Sequence, residues 1–146
     1  MLLDKLPGLI KEAILDHSET RLRTLRFIKA EFTEYQKSAL HRELTEESEF
    51  SILRKMISLR KESSKLYREA GRLDLAESEE AEAKIISEFL GTIPSDSEIK
   101  DFALGVIGED RDIRHMKGYI EEVKKKYPNA DGKLIGDICK NIILGK

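Results

Sequence analysis

Apolar residues recur along this chain at intervals of three and four, the spacing that places them on one face of an α-helix. Leu2, Leu3, Leu6, Leu9, Ile10, Ala13 and Ile14 open the series. Pro7-Gly8 interrupts it, so the regular first helix is expected to start near Pro7, a residue that a first turn tolerates. Ser18 is positioned to cap a second helix, whose stripe is Leu22, Leu25, Ile28, Phe32, Tyr35 and Ala39. Thr45 opens a third, expected over residues 46–70. Glu46, Glu47 and Glu49 stand at the positive end of its dipole, and Phe50, Leu53, Ile57, Ser64 and Tyr67 face inward. Gly71 suits a left-handed helix end. After it, Asp74 with Glu77 reads as a capping box for a fourth helix, with Leu75, Ile85, Ile86, Phe89 and Leu90 inside.

Residues 91–94, Gly-Thr-Ile-Pro, form the clearest boundary, because glycine stops a helix and proline cannot continue it. Ser95 with Glu98 then reads as a capping box for a fifth helix through Ile99, Phe102, Val106 and Ile107, closed by Gly108. Asp110 or Asp112 caps a sixth, carrying Ile113, Met116, Ile120, Val123 and Tyr127 and ended by Pro128. Asp131 caps a seventh with Leu134, Ile135, Ile138, Cys139 and Ile142. No stretch alternates as a strand does, and no internal repeat is visible. The pattern predicts an all-α chain: an N-terminal four-helix part over residues 1–94, then a small three-helix C-terminal unit over residues 95–146.

Charge changes this picture at the third and fourth helices. Residues 54–72 carry seven basic side chains against Glu62 and Glu69, and residues 74–88 carry six acids against Lys84. Two such helices joined at a glycine are expected to fold antiparallel and pair across their rims, each exposed pair contributing ~0–1 kcal/mol. Glu79, Glu80 and Glu82 read as one solvated face turned toward that basic partner. The chain as a whole has 26 Lys and Arg against 28 Asp and Glu, so no global basic field draws it to nucleic acid or membrane. One cysteine excludes an intrachain disulfide framework and fits a reducing compartment. No leader and no long apolar run is present, so a cytoplasmic protein without a membrane segment is expected.

Catalytic chemistry is sparse. His17, His41 and His115 lie among polar residues and read as surface imidazoles, and Cys139 falls on the apolar face of the last helix. Cys/His pairs at ligand spacing, a phosphate loop and a dinucleotide fingerprint are all missing. The residues therefore predict no catalytic group, no metal, no cofactor and no small-molecule substrate. Two features point to phosphate instead: the basic start of the second helix (Arg21, Arg23, Arg26, Lys29), and Lys124, Lys125 and Lys126 with Lys133 and Lys140. Lysines in a last turn also complement the helix dipole, and Glu121 and Glu122 sit one turn back, so both readings stay open.

One ordered set of short motifs resembles a known family. It consists of Arg60-Lys61-Glu62-Ser63, residues 70–77 (Ala-Gly-Arg-Leu-Asp-Leu-Ala-Glu), Glu79-Glu80-Ala81-Glu82, Lys124-Lys125-Lys126-Tyr127 and Ala130-Asp131-Gly132-Lys133-Leu134. In this order, over essentially the whole chain, they resemble the GatB/YqeY family and its stand-alone YqeY-like members. The resemblance implies an all-helical protein whose C-terminal part is shared with the tail of the GatB subunit of glutamine-dependent aminoacyl-tRNA amidotransferases, where it contacts tRNA. It also implies kinship to carbon–nitrogen ligases that use glutamine as amido donor. The serine–lysine amidase machinery and the ATP- and metal-binding cradle of those enzymes have no counterpart in these motifs. The expectation is a non-catalytic accessory protein that binds tRNA or a tRNA-linked enzyme through Lys124, Lys125, Lys126, Lys133 and Lys140. The alternative is a helical protein-interaction module without RNA. The chain departs from the family in having Leu90-Gly91 where Leu-Pro is usual, and Pro128-Asn129 where glycine and a basic residue precede Ala-Asp.

Overall fold

Seven α-helices organise the described residues, 1–38 and 43–146, of the computed structural model. They are α1 (Leu2–Leu15), α2 (Glu19–Gln36), α3 (Glu46–Glu69), α4 (Leu73–Glu88), α5 (Asp96–Ile107), α6 (Met116–Lys126) and α7 (Gly132–Ile143). A short 3-10 turn, Ile113–His115, precedes α6, and no strand occurs among the described residues. Ala39 and His41 lie outside the described residues. None of the described helices is long and apolar enough to cross a membrane. The chain divides into two compact units, Met1–Gly91 and Thr92–Lys146.

In the first unit α1 begins at Leu2 and carries Pro7 inside it, five residues earlier than the local rule predicts. The cause is tertiary. Glu49 of α3 accepts the backbone N–H of Leu2 at 3.1 Å and of Leu3 at 2.7 Å, satisfying two donors that a helix start leaves orphaned. Glu49, expected to serve only the dipole of its own helix, is 2% exposed. Ser18 does occupy the N-cap of α2, but its side chain makes no capping bond. Thr45 caps α3 in a reciprocal box with Ser48.

α3 packs most extensively on α4, and α2 lies against both. Leu53, Met56 and Ile57 of α3 join Ala83, Ile86 and Leu90 of α4 in a core completed by Leu6, Ala13, Leu25, Ile28, Phe32 and Leu44. Farther along the hairpin, toward its turn, the buried side chains are Ser64, Ala76 and Glu82 alone. That outer half therefore depends on polar contacts across the pair. The turn is a Schellman motif: Arg72 N–H reaches Tyr67 O at 2.8 Å, Gly71 N–H reaches Arg68 O at 3.1 Å, and Gly71 takes φ +75°. α4 then starts at Leu73, one residue before the expected cap. Arg72 holds the N-cap without a side-chain bond, and Asp74 sits in the first turn.

In the second unit α5, α6 and α7 enclose Ile99, Ala103, Ile107, Val123, Ala130, Ile135, Cys139 and Ile142. Ser95 accepts the Glu98 N–H to open α5, Gly108 closes it at φ +58°, and Asp131 caps α7 through the Lys133 N–H. Asp112 caps the 3-10 turn and not α6. That leaves Ile113, expected on the inner stripe of α6, more than half exposed. Phe102 and Tyr127 meet edge-on at 5.7 Å, and the Asn129 amide donates to Thr92 O at 2.9 Å.

Candidate nucleic-acid interface

Three consecutive lysines cannot share one helix face, since successive residues turn by about 100°. Lys124, Lys125 and Lys126 accordingly fan out from the last turn of α6. Lys126 places its ammonium 5.9 Å from the centroid of the Phe102 ring in α5. Lys125 turns back to Glu122, 3.6 Å away. Lys124 lies half-buried across the start of α7: a Cβ on Gly132 would meet its Cε at 3.2 Å and its Nζ at 3.4 Å. An ammonium is thus held beside the first residue of α7, at the positive end of that helix dipole. Lys133 follows at once. Lys140, seven residues on, falls on the same stripe with Asp137 between them. The structure therefore gathers Lys124 and Lys133 at the 128–132 turn, continues their stripe to Lys140, and directs Lys125 and Lys126 elsewhere.

Two of the four cations at the basic start of α2 are engaged within the fold. Arg21 binds Glu88 at 2.8 Å and stacks over Phe89, and Arg23 binds Glu82 at 3.1 Å. Glu82 also accepts Arg60 at 3.0 Å and is only 7% exposed, so the expected solvated face of three glutamates is broken. Its buried member is a bridge between α2, α3 and α4. Glu80 takes both Nε and Nη2 of Arg68, at 2.8 and 2.7 Å, and the Ser64 hydroxyl at 2.8 Å. Those bonds hold its carboxyl below the usual range.

His115 is exposed, as expected, yet it is not isolated. Its Nδ1 lies 2.9 Å from Asp110 Oδ2, which also accepts the Tyr119 hydroxyl, and the two rings meet edge-on. The bond to Asp110 raises the imidazole above its ordinary 6.5. Asp110 is lowered in turn by the bonds from His115 and Tyr119, and the bond to Asp110 pushes the phenol up to about 12. Ligand atoms of Asp110, Asp112 and His115 lie within 4.8 Å of one another, a spacing that could hold a cation. As they stand, Arg114 donates to both oxygens of Asp112, so the group is a polar clasp over the 3-10 turn. No periodic motif announces it, because the chain doubles back where Arg111 takes φ +44°. Cys139 is fully buried, and burial pushes its thiol up, which suits a core residue and not a nucleophile.

The family model described as Yqey-like protein matches residues 3–143, nearly the entire chain. No curated protein matches it.

Proposed function

The chain belongs to the YqeY-like family, and from that membership we propose that it is a non-catalytic helical accessory protein that binds tRNA, or an enzyme carrying tRNA, through the unit Thr92–Lys146. The observation that carries this reading is the Lys124 ammonium held at the N-terminus of α7 next to Lys133. Lys124 and Lys133 bring two ammonium-bearing residues to a helix N-terminus that Asp131 caps through the Lys133 N–H, and a phosphate docking there would meet both cations and the positive end of the dipole. The resemblance of the C-terminal motifs to the tail of the GatB subunit suggests the class of phosphate, a tRNA backbone read mainly through its shape. Thr92–Lys146 has ten Lys and Arg against ten Asp and Glu, so attraction comes from this local placement and not from a net basic field.

Filter binding of tRNA at two salt concentrations tests the reading, with wild type beside a variant carrying glutamine at 124, 125 and 126. Each lost phosphate contact should weaken binding and flatten the log–log salt dependence by roughly 0.7–0.9. Lysines that only complement a dipole would cost a little stability and leave affinity unchanged. No binding by wild type at low salt, or an unchanged slope in the variant, would favour the second reading. That second reading is a protein-interaction module without RNA, consistent with the charge balance of this unit.

A further inference from the structure

The basic half of α3 is only partly engaged by α4. Arg60 and Arg68 hold Glu82 and Glu80, but Lys61 and Lys65 make no ion pair among the described residues, and neither does Lys84 of α4. Lys61 and Lys65 are four residues apart and so project from one face of α3. Lys84 rises from the opposite wall. Between these walls run two clefts. One, of about 510 Å3, is lined by Lys61, Ser64, Lys65, Arg68, Glu69 and Glu80. The other, of about 240 Å3, is lined by Ile57, Lys61, Glu80, Ala83, Lys84 and Ser87. Lined in common by Lys61 and Glu80, they adjoin along the groove between the two helices.

We propose that this groove in the unit Met1–Gly91 docks an acidic amphipathic helix of a partner protein. Ile57 and Ala83, core side chains that are 9% and 6% exposed, lie at its base, and it is rimmed by the aliphatic stems and ammonium groups of three lysines. A helix carrying Leu on one face and Glu on its flanks complements both features at once. Glu80 does not repel such a ligand, because Arg68 and Ser64 already occupy its oxygens. Glu69 is the one remaining acid, and it stands at the far end near the turn. Nucleic acid fits less well: no aromatic side chain lines either cleft, so bases would find nothing to stack on. This site is separate from the proposed tRNA contacts and does not depend on them.

Fluorescence anisotropy on the full chain tests it, using a labelled helical peptide of about 14 residues with Leu on one face and Glu on its flanks. Probes for comparison are a shuffled peptide of identical composition and a tRNA. Saturable binding of the amphipathic peptide is expected. It should weaken about tenfold on shuffling, and again in a Lys61→Gln/Lys65→Gln/Lys84→Gln variant, since each rim contact is modest. Ser87→Trp should block the floor with no change in charge. Replacing the lysines at 124, 125 and 126 should leave peptide binding intact, which separates failure here from failure of the tRNA reading. Equal affinity for the shuffled peptide, or indifference to the Lys61/Lys65/Lys84 substitutions, would overturn the proposal. So would tRNA binding that those substitutions abolish, or self-association that they abolish, for then RNA or a second copy occupies the groove.

Discussion

Arg60 of α3 donates its Nε–H to the buried carboxylate of Glu82 in α4 at 3.0 Å. Arg23 of α2 approaches the other oxygen at 3.1 Å, so one acid ties three helices together where the apolar core has already ended. Removing that acid leaves the largely buried Arg60 guanidinium with the Met56 carbonyl as its remaining acceptor, while the half-exposed Arg23 turns to water. Glu82→Ala should cost roughly 2–4 kcal/mol in urea denaturation, whereas Glu79→Ala should stay within about 0.5 kcal/mol of wild type. Similar midpoints for the two variants would show that the bridge does not hold the hairpin.

Glu49 is the cap of a helix to which it does not belong. Glu49→Ala should fray the start of α1 and cost roughly 1–3 kcal/mol, combining a lost cap with two unsatisfied amides. Hydrogen exchange at Leu3 should accelerate while the amides near Ala13 stay protected. Unchanged exchange at Leu3 would mean that Pro7, not Glu49, sets where the regular helix begins.

Two Schellman turns in the first unit differ in the residue at their left-handed position. Gly71 has φ +75° with nothing within 4 Å of where a Cβ would stand, so the penalty for Gly71→Val is conformational and not steric. About 1–2 kcal/mol of destabilisation is expected. His17 takes φ +56° at the end of α1, where Ser18 N–H reaches Ala13 O at 3.0 Å. His17→Gly should therefore stabilise the protein by about 0.5–1 kcal/mol, read as a higher Tm. Shifts of the same sign in both variants would contradict this account.

The clasp at His115 is pH-dependent. Its raised imidazole contributes stability that is complete below the unfolded value and lost as pH rises through the folded value, which lies above 6.5. Asp110 works in the opposite direction: its lowered carboxyl contributes above its unfolded value and loses that contribution as pH falls through the folded one. The clasp is thus tightest in mildly acidic solution. In an NMR titration, Asp110→Asn should bring the His115 midpoint down toward 6.5. A midpoint that does not move would place the cause of the shift elsewhere.

Much of the architecture is legible in the sequence. The all-α class, the inward faces carrying Leu25, Phe32, Leu53, Ile86, Ile135 and Cys139, the left-handed Gly71, and the caps Thr45, Ser95 and Asp131 all follow from periodicity and from bonds between near neighbours in the chain. Family membership was legible too, as an ordered set of short motifs. What the tertiary structure alone decides is where the long charged side chains go. It turns Glu49 to a helix start 46 residues away, buries Glu82 between Arg23 and Arg60, folds His115 onto Asp110, and splits three adjacent lysines among α5, α7 and Glu122 of their own helix. It also leaves Lys61 and Lys65 open while pairing Arg60 and Arg68 in the same basic run. Helix faces and caps depend on neighbours within one turn. An ion pair depends on which foreign helix brings a partner within about 4 Å, and no local pattern encodes that.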